Sequence, residues 1–211
     1  AGALIDLGIK SRSWMGWQIP IITDENHTSS QIIEIKTKEI LKFISNKGVA
    51  VIAGFQGISL NNRITTLGRG GSDLTAVAFA KFFKTDSCEI YTDVEGVLTT
   101  DPSIHSKAKK IDKISYEEML EMASLGAKVM QPNAVQASMI DNIPIHVRST
   151  FSEKSGTQII SEEKIDYKKV VTGIAYSKNN AKVSIVGVVD KPGVAADVFE
   201  PIGKNNINID M

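Results

Sequence analysis

Residues Thr65–Ala76 read TTLGRGGSDLTA. Three glycines surround one arginine, a serine and an aspartate follow, and an apolar run begins at Leu74. The stretch stands where an extended segment gives way to a helix. Gly68, Gly70 and Gly71 allow a tight turn, and Ser72 or Asp73 is placed to cap the helix. Such a turn brings backbone N–H groups to the positive end of a helix, where an anion can approach. Two well-known glycine signatures are excluded: a Walker loop needs Gly-Lys-Ser/Thr after four intervening residues, and the dinucleotide fingerprint needs a third glycine where Asp73 stands. Arg69 and Asp73 instead offer a guanidinium for a carboxylate and a carboxylate for an ammonium, the two charges of a free amino acid. A flexible turn with a surface arginine and a capping aspartate accounts for the same residues equally well.

Outward from this turn, helical and extended patterns alternate. Upstream, Ile32–Ile44 spaces its isoleucines among charges like an amphipathic helix, and GVAVIAGF (Gly48–Phe55) has the composition of a buried strand. Downstream, Leu74–Lys84 is apolar on most sides, as expected of a helix between layers, and Cys88–Thr92 is the next buried strand. Ser115 and Glu118 match a capping box for a helix that Gly126 ends. A second helix is expected from about Ala127, with Pro132 near its start, leading into the strand Ile143–Ser149 (IPIHVRS). Repeated helix-to-strand connections imply an α/β fold, a largely parallel sheet sandwiched by helices. GTQII (Gly156–Ile160) reads as a last strand. Beyond it, VVTGIAY, KVSIVGVV, a DKPG turn, a helix over Val194–Lys204 and INID suit the start of a small α+β module, with a kink or early end at Pro201. The boundaries expected are 1–160 for the first domain, 161–169 for a polar linker and 170–211 for the partial second domain. Both ends have the look of a cut chain.

Composition narrows the function. Twenty-four Lys and Arg balance 24 Asp and Glu across 211 residues, so there is no basic footprint for nucleic acid or an anionic membrane. No apolar run approaches the length of a membrane helix. The single cysteine, Cys88, lies in an apolar run and fits a small buried hydrophobe in a reducing, cytoplasmic setting. His27, His105 and His146 have no metal-ligand spacing, and no metal site is expected.

Two further segments could carry chemistry. TDVEGVLTTDP (Thr92–Pro102) leaves a strand, turns at Gly96 and reaches Asp101. Thr92 and Asp93 then stand at a carboxyl rim of the sheet, able to meet a ribose or a metal-bound water; an Asx-type turn is the plainer alternative. In LGAKVMQPNAV (Leu125–Val135), Lys128 falls at an expected helix start, a poor place for a cation unless it reaches solvent or a phosphate. Trp14 and Trp17 could be core, and the loop bearing Thr23, Asp24, Glu25 and Thr28 could edge a substrate site.

Taken together, VAVIAGFQG, TTLGRGGSD, TDVEGV with TTDP, SYEEMLEMASLGAKV, VRST and DKPGVAA, in this order, resemble the aspartokinases of the amino acid kinase family. The resemblance runs through nearly the whole chain. It implies an amino acid kinase fold followed by the start of an ACT regulatory domain. It also implies transfer of the γ-phosphoryl group of ATP to the side-chain carboxylate of L-aspartate, with Mg²⁺ bridging the phosphates. By motif, Arg69, Gly70, Gly71, Ser72 and Asp73 bind the substrate, Arg69 at the α-carboxylate and Asp73 at the α-ammonium. Thr92, Asp93, Gly96, Asp101, Lys128 and Val129 lie against ATP. Asp190, Pro192, Gly193, Val194 and Ala195 help form an effector site for lysine or threonine, at an interface through which a complete protein forms a homodimer. The chain departs from the family in lacking its amino-terminal K-F-G-G-T-S motif, whose lysine neutralises the transferring phosphate, so activity of the chain on its own is left open. Leu98 replaces a frequent aromatic, Ser103 a usual arginine, and Gln131 a common histidine. A regulatory fragment without catalysis, or another amino acid kinase, are the alternatives.

Overall fold

The computed structural model describes residues 1–166, 171–177, 185, 187–188 and 191–204. Two compact units are formed, Ala1–Ser177 and Lys178–Met211. The elements of the first are α1 (Gly2–Asp6), β1 (Ser11–Trp14), β2 (Ile21–Thr23), β3 (Ile32–Ile35), α2 (Lys38–Ser45), β4 (Val49–Ile52), β5 (Gln56–Ser59), β6 (Ile64–Thr66), α3 (Gly71–Phe83), β7 (Cys88–Thr92), β8 (Lys113–Ser115), α4 (Tyr116–Ser124), α5 (Pro132–Ile140), β9 (Ile145–Ser149), β10 (Thr157–Ile160) and a 3₁₀ turn at Glu162–Lys164. In the second, α6 (Val194–Lys204) runs through Pro201 without the early end that proline suggested. Asp190, most of KVSIVGVV and all of INID lie outside the described residues.

The first unit is a mixed α/β structure, as its alternating patterns predict. Parallel pairings join β1 to β4, β2 to β5, β7 to β9 and β8 to β10. Antiparallel hairpins extend them, giving three sheets: β1-β4, β3-β2-β5-β6 and β7-β9-β10-β8. Helix α3 lies between two apolar clusters. Val77 and Ala80 join Cys88, Ile145, Val147, Ile159 and residues of α4 and α5, while Phe79 faces Ile19, Ile21, Ile35 and Ile40. That double burial is why its sequence is apolar on most sides.

Three expectations change. Ile32–Ile35 is a strand, because its β-branched residues pair with β2, and the helix begins only at Lys38. The strands expected to be buried are covered on one face only: Val49 and Val51 are 42% and 37% exposed while Ala50 and Ile52 are half-buried, and in β7 Glu89 and Tyr91 are exposed while Cys88 is buried. The second helix starts at Pro132 rather than Ala127, because a proline holds the residue before it extended, and Gln131 has φ −87° and ψ 138°. The capping box at Ser115 forms in both directions, and Gly126 follows α4 with φ 117°.

Residues 171–177 carry no strand. They lie against the first unit, with Ile174 N–H on the Thr99 carbonyl at 2.8 Å and the Thr172 hydroxyl on Glu118 Oε1 at 2.5 Å. The compact first unit therefore extends past the expected 161–169 linker.

Candidate functional site

Each helix-to-strand connection reverses the chain. The amino ends of α3 and α5 therefore lie at the same end of the unit as the carboxyl ends of β7 and β9, the rim at which ligands of α/β sheets bind. The glycine turn is built at this rim. Gly68 (φ 75°) abuts Thr28 and Ser29, and Gly71 is buried against Leu67 and Phe55, where a Cβ would stand 2.9 Å from each side chain. Gly70 is the N-cap of α3 in the left-handed region, φ 72° and ψ 13°. The expected side-chain cap at Ser72 or Asp73 is absent, because the helix already starts at Gly71 and both residues sit in its first turn. Thr75 anchors the turn from below, accepting Phe55 N–H at 3.0 Å and donating to the Gly71 carbonyl at 2.6 Å.

Arg69 is exposed, and its guanidinium makes no ion pair with any described residue. Asp73 is half-buried, also without an ion-pair partner among the described residues, and burial raises its carboxyl above the usual 3.8. A lone carboxylate held partly out of water beside a helix amino end is poised to gain from a cation.

The neighbouring wall comes from α5, which the glycine motif does not announce. Gln131 packs directly over Gly70, and Asn133 Nδ2 donates to the Arg69 carbonyl at 3.4 Å. Lys128 and Val129 lead into this wall, but Lys128 is an exposed loop residue ahead of the helix, so the electrostatic misfit expected at a helix start does not arise.

Across the rim, Thr92 ends β7, its carbonyl accepting Thr150 N–H at 2.8 Å and its hydroxyl donating to Asp93 Oδ1 at 3.1 Å. Asp93 is exposed. Gly96 is buried with φ 135° and starts a loop whose strands approach at Leu98 and Lys110. Asp101 Oδ1 accepts the backbone N–H and hydroxyl of Ser103 at 2.8 and 2.6 Å, so the serine that stands in place of an arginine serves as an Asx-turn partner. Among the described residues, no three His, Cys, Asp or Glu side chains gather as a metal cage. A cleft of about 440 Å³ lined by Lys81, Lys84, Asp86 and Asp141 lies at the other end of α3 and is no part of this rim.

Of the remaining sequence candidates, the loop bearing Thr23, Asp24, Glu25 and Thr28 reaches the glycine turn, where Gly68 abuts Thr28. Trp14 joins the cluster around Ile21, whereas Trp17 is 54% exposed. Thr23 is buried with its hydroxyl bonded to Thr65, and Asp24 holds its own loop through the N–H groups of Asn26 and Gln31. No helix among the described residues is long and apolar enough to cross a membrane.

Comparison with known proteins bears on this arrangement. The model of the amino acid kinase family matches residues 1–149. The chain is 47% identical over its whole length to an aspartate kinase of Stutzerimonas stutzeri, of which it covers 52%, and 46% identical over 99% of its length to an aspartate kinase of Pseudomonas putida, of which it covers 51%. It thus spans about half the length of the curated relatives it matches. Among solved structures, E. coli aspartokinase III in complex with aspartate and ADP superposes with a TM-score of 0.81 at 28% identity, over 99% of this chain and 47% of that one.

Proposed function

The chain belongs to the amino acid kinase family, and we propose that it is the aspartate- and nucleotide-binding part of an aspartate kinase. The reaction transfers the γ-phosphoryl group of ATP to the side-chain carboxylate of L-aspartate. The product, 4-phospho-L-aspartate, opens the route to lysine and diaminopimelate, threonine and methionine. The observation that carries this reading is one helix entry presenting an exposed arginine and a half-buried aspartate at the rim, neither ion-paired among the described residues.

An α-carboxylate would form a charge-assisted, bidentate pair with Arg69, and an α-ammonium would satisfy Asp73 and draw its raised pKa down. The side-chain carboxylate of the substrate is already a nucleophile, so no proton need be abstracted and the protein's task is positioning. Gly70, Gly71 and Ser72 complete the substrate side through their backbone, the two glycines making room for Gln131, Leu67 and Phe55 rather than for the ligand. Thr92, Asp93, Gly96, Asp101, Lys128 and Val129 form the nucleotide side, with Lys128 free to swing to a phosphate. Mg²⁺ bound with ATP would neutralise phosphate charge; because it keeps waters and phosphates as ligands, one or two carboxylates such as Asp93 would suffice to hold it. These residues bind and orient. The group that neutralises the transferring phosphoryl is not among them.

A second role, effector sensing, is favoured by a cleft of about 390 Å³ in the second unit, lined by Lys191, Gly193, Val194, Ala195, Val198 and Phe199. Gly193, Val194 and Ala195 are three of the residues expected there from motif; Pro192 is not in the lining, and Asp190 lies outside the described residues. Lysine or threonine is the ligand proposed, with a second copy of the module completing the site.

The test is ADP release with ATP, Mg²⁺ and L-aspartate, measured on this chain and on the full-length kinase. Arg69→Ala in the full-length protein raises the KM for aspartate about 10- to 100-fold while leaving that for ATP within about twofold, because one charge-assisted pair is lost. An equal effect on both substrates would remove Arg69 from the substrate site. Absence of aspartate-dependent turnover in the full-length protein would sink the assignment.

A further inference from the structure

Thr157 opens β10 and is completely buried. Its hydroxyl accepts the Val97 N–H at 2.9 Å and donates to the Ile111 carbonyl at 2.5 Å. The Val97 carbonyl in turn accepts the Ile111 N–H at 2.9 Å. Opposed residues of an antiparallel pair ordinarily exchange two direct hydrogen bonds. Here one is direct, and the other passes through a threonine hydroxyl inserted between donor and acceptor. Val97 and Ile111 form the neck of the loop that carries Thr99, Asp101 and Ser103.

Two glycines admit this insertion. A Cβ on Gly96 would stand 2.5 Å from Thr157 Oγ1, so only glycine lets the turn close on the hydroxyl. Gly156, with φ 70°, lies so close to the Val147 carbonyl that no side chain fits, and its own carbonyl accepts Lys110 Nζ at 2.7 Å from across the neck. The start of β10 is thereby fastened to both strands of the loop base.

We propose that Thr157 is a positioning residue for the nucleotide side of the site. Its hydroxyl sets the spacing and register of the Gly96–Val97 turn, and with them the placement of Asp93 before the turn and Asp101 after it. The inference rests on the reading of Thr92–Asp101 as the nucleotide segment. A β-branched threonine is stiff about χ1, so the hydroxyl is held ready rather than recruited. Valine has nearly the same shape, yet it would leave a buried N–H and a buried carbonyl unpaired. The neck strands would then close directly on each other or part, and in either case the turn shifts.

The experiment compares Thr157→Val and Thr157→Ser with wild type in the full-length protein. MgATP and L-aspartate binding are followed by calorimetry, and exchange of the Val97 amide by hydrogen–deuterium exchange. Expected for the valine variant are loss of protection at Val97, MgATP binding weaker by about tenfold or more, and aspartate binding within about twofold; serine, keeping the hydroxyl, stays within about threefold of wild type for both ligands. A merely structural role would weaken both ligands together. The inference is overturned if the valine variant binds MgATP as wild type does, if both ligands are lost in parallel, or if serine behaves as valine. Full-length wild-type protein that binds no MgATP refutes the nucleotide reading and this role with it; binding by wild type and valine variant alike refutes this role alone.

Discussion

Replacing Gly70 by alanine tests how the glycine turn is held. Gly70 caps α3 with φ 72°, a left-handed conformation that costs an L-residue about 1–2 kcal/mol. The added Cβ would also overlap the Cβ and Cγ of Gln131 and stand 3.3 Å from its Cδ. Gln131 cannot swing away freely, because Pro132 keeps its backbone extended and starts α5 directly after it. Forcing it aside adds an overpacking cost of about 1–3 kcal/mol. The sum, about 2–5 kcal/mol, is a large share of an ordinary stability of about 5–15 kcal/mol. The two parts are separable. Gln131→Gly removes the steric partner, so Gly70→Ala with Gln131→Gly recovers the overpacking part and keeps only the backbone cost; Gln131→Ala, which retains a Cβ, recovers less. Urea unfolding followed by circular dichroism gives the free energies, and a titration with L-aspartate reports whether Arg69 and Asp73 on either side of the turn have moved. Gly70→Ala within about 0.5 kcal/mol of wild type, or strict additivity with Gln131→Gly, would refute the packing described here.

Asp73 gives a pH signature. Its folded pKa lies above the usual 3.8, so its contribution to stability is fully present below that value and is lost as pH rises through the raised one. Asp73→Asn is therefore more stable than wild type at neutral pH, an advantage that shrinks on acidification, while its affinity for L-aspartate falls; thermal melts from pH 4 to 8 that run parallel would contradict this. The Cys88 thiol is pushed up to about 11 by burial first, then by Asp73 and Glu89, so the folded chain should resist a disulfide reagent at pH 8 and react promptly in denaturant. Prompt reaction of the native protein would show that Cys88 is accessible. Ser115→Ala removes one half of the capping box and should cost about 1 kcal/mol in urea unfolding, whereas Ser115→Asp should keep most of it.

The features legible in the sequence are those set by neighbours along the chain. The capping box needs only Ser115 and Glu118, and the apolar surround of Leu74–Lys84 already implied burial on two sides. The misreading of Ile32–Ile35 has the opposite origin. Three isoleucines fit a helical stripe and a strand alike, and the decision belonged to β2, which supplies a pairing partner and which no local pattern announces. Exposure of one face of β4 and β7 was invisible for the same reason: an apolar composition records what a strand can bury, while the layers that arrive decide what it does bury.

The site follows this division. GRGGSD could be read as a candidate grip on an amino acid because Arg69 and Asp73 flank one glycine turn, Arg69 before the Gly70 cap and Asp73 in the first turn of α3. What holds the turn in place was not readable. Gln131 and Asn133 reach it from α5, and the Asn133 contact spans a sequence separation of 64 residues. Thr157 closes the neighbouring loop across a separation of 60 residues, and its signal in the sequence is no more than a glycine–threonine pair at the start of a strand. The paired glycines carry the connection. Gly70 must lack a side chain because of Gln131, and Gly96 because of Thr157, so each of these two glycines points to a residue elsewhere that occupies the space a Cβ would need. If that is the logic of the rim, restoring space at the partner should rescue the Gly70 variant, whereas no truncation of Thr157 should rescue Gly96→Ala, because the space there is filled by the hydroxyl that holds the turn.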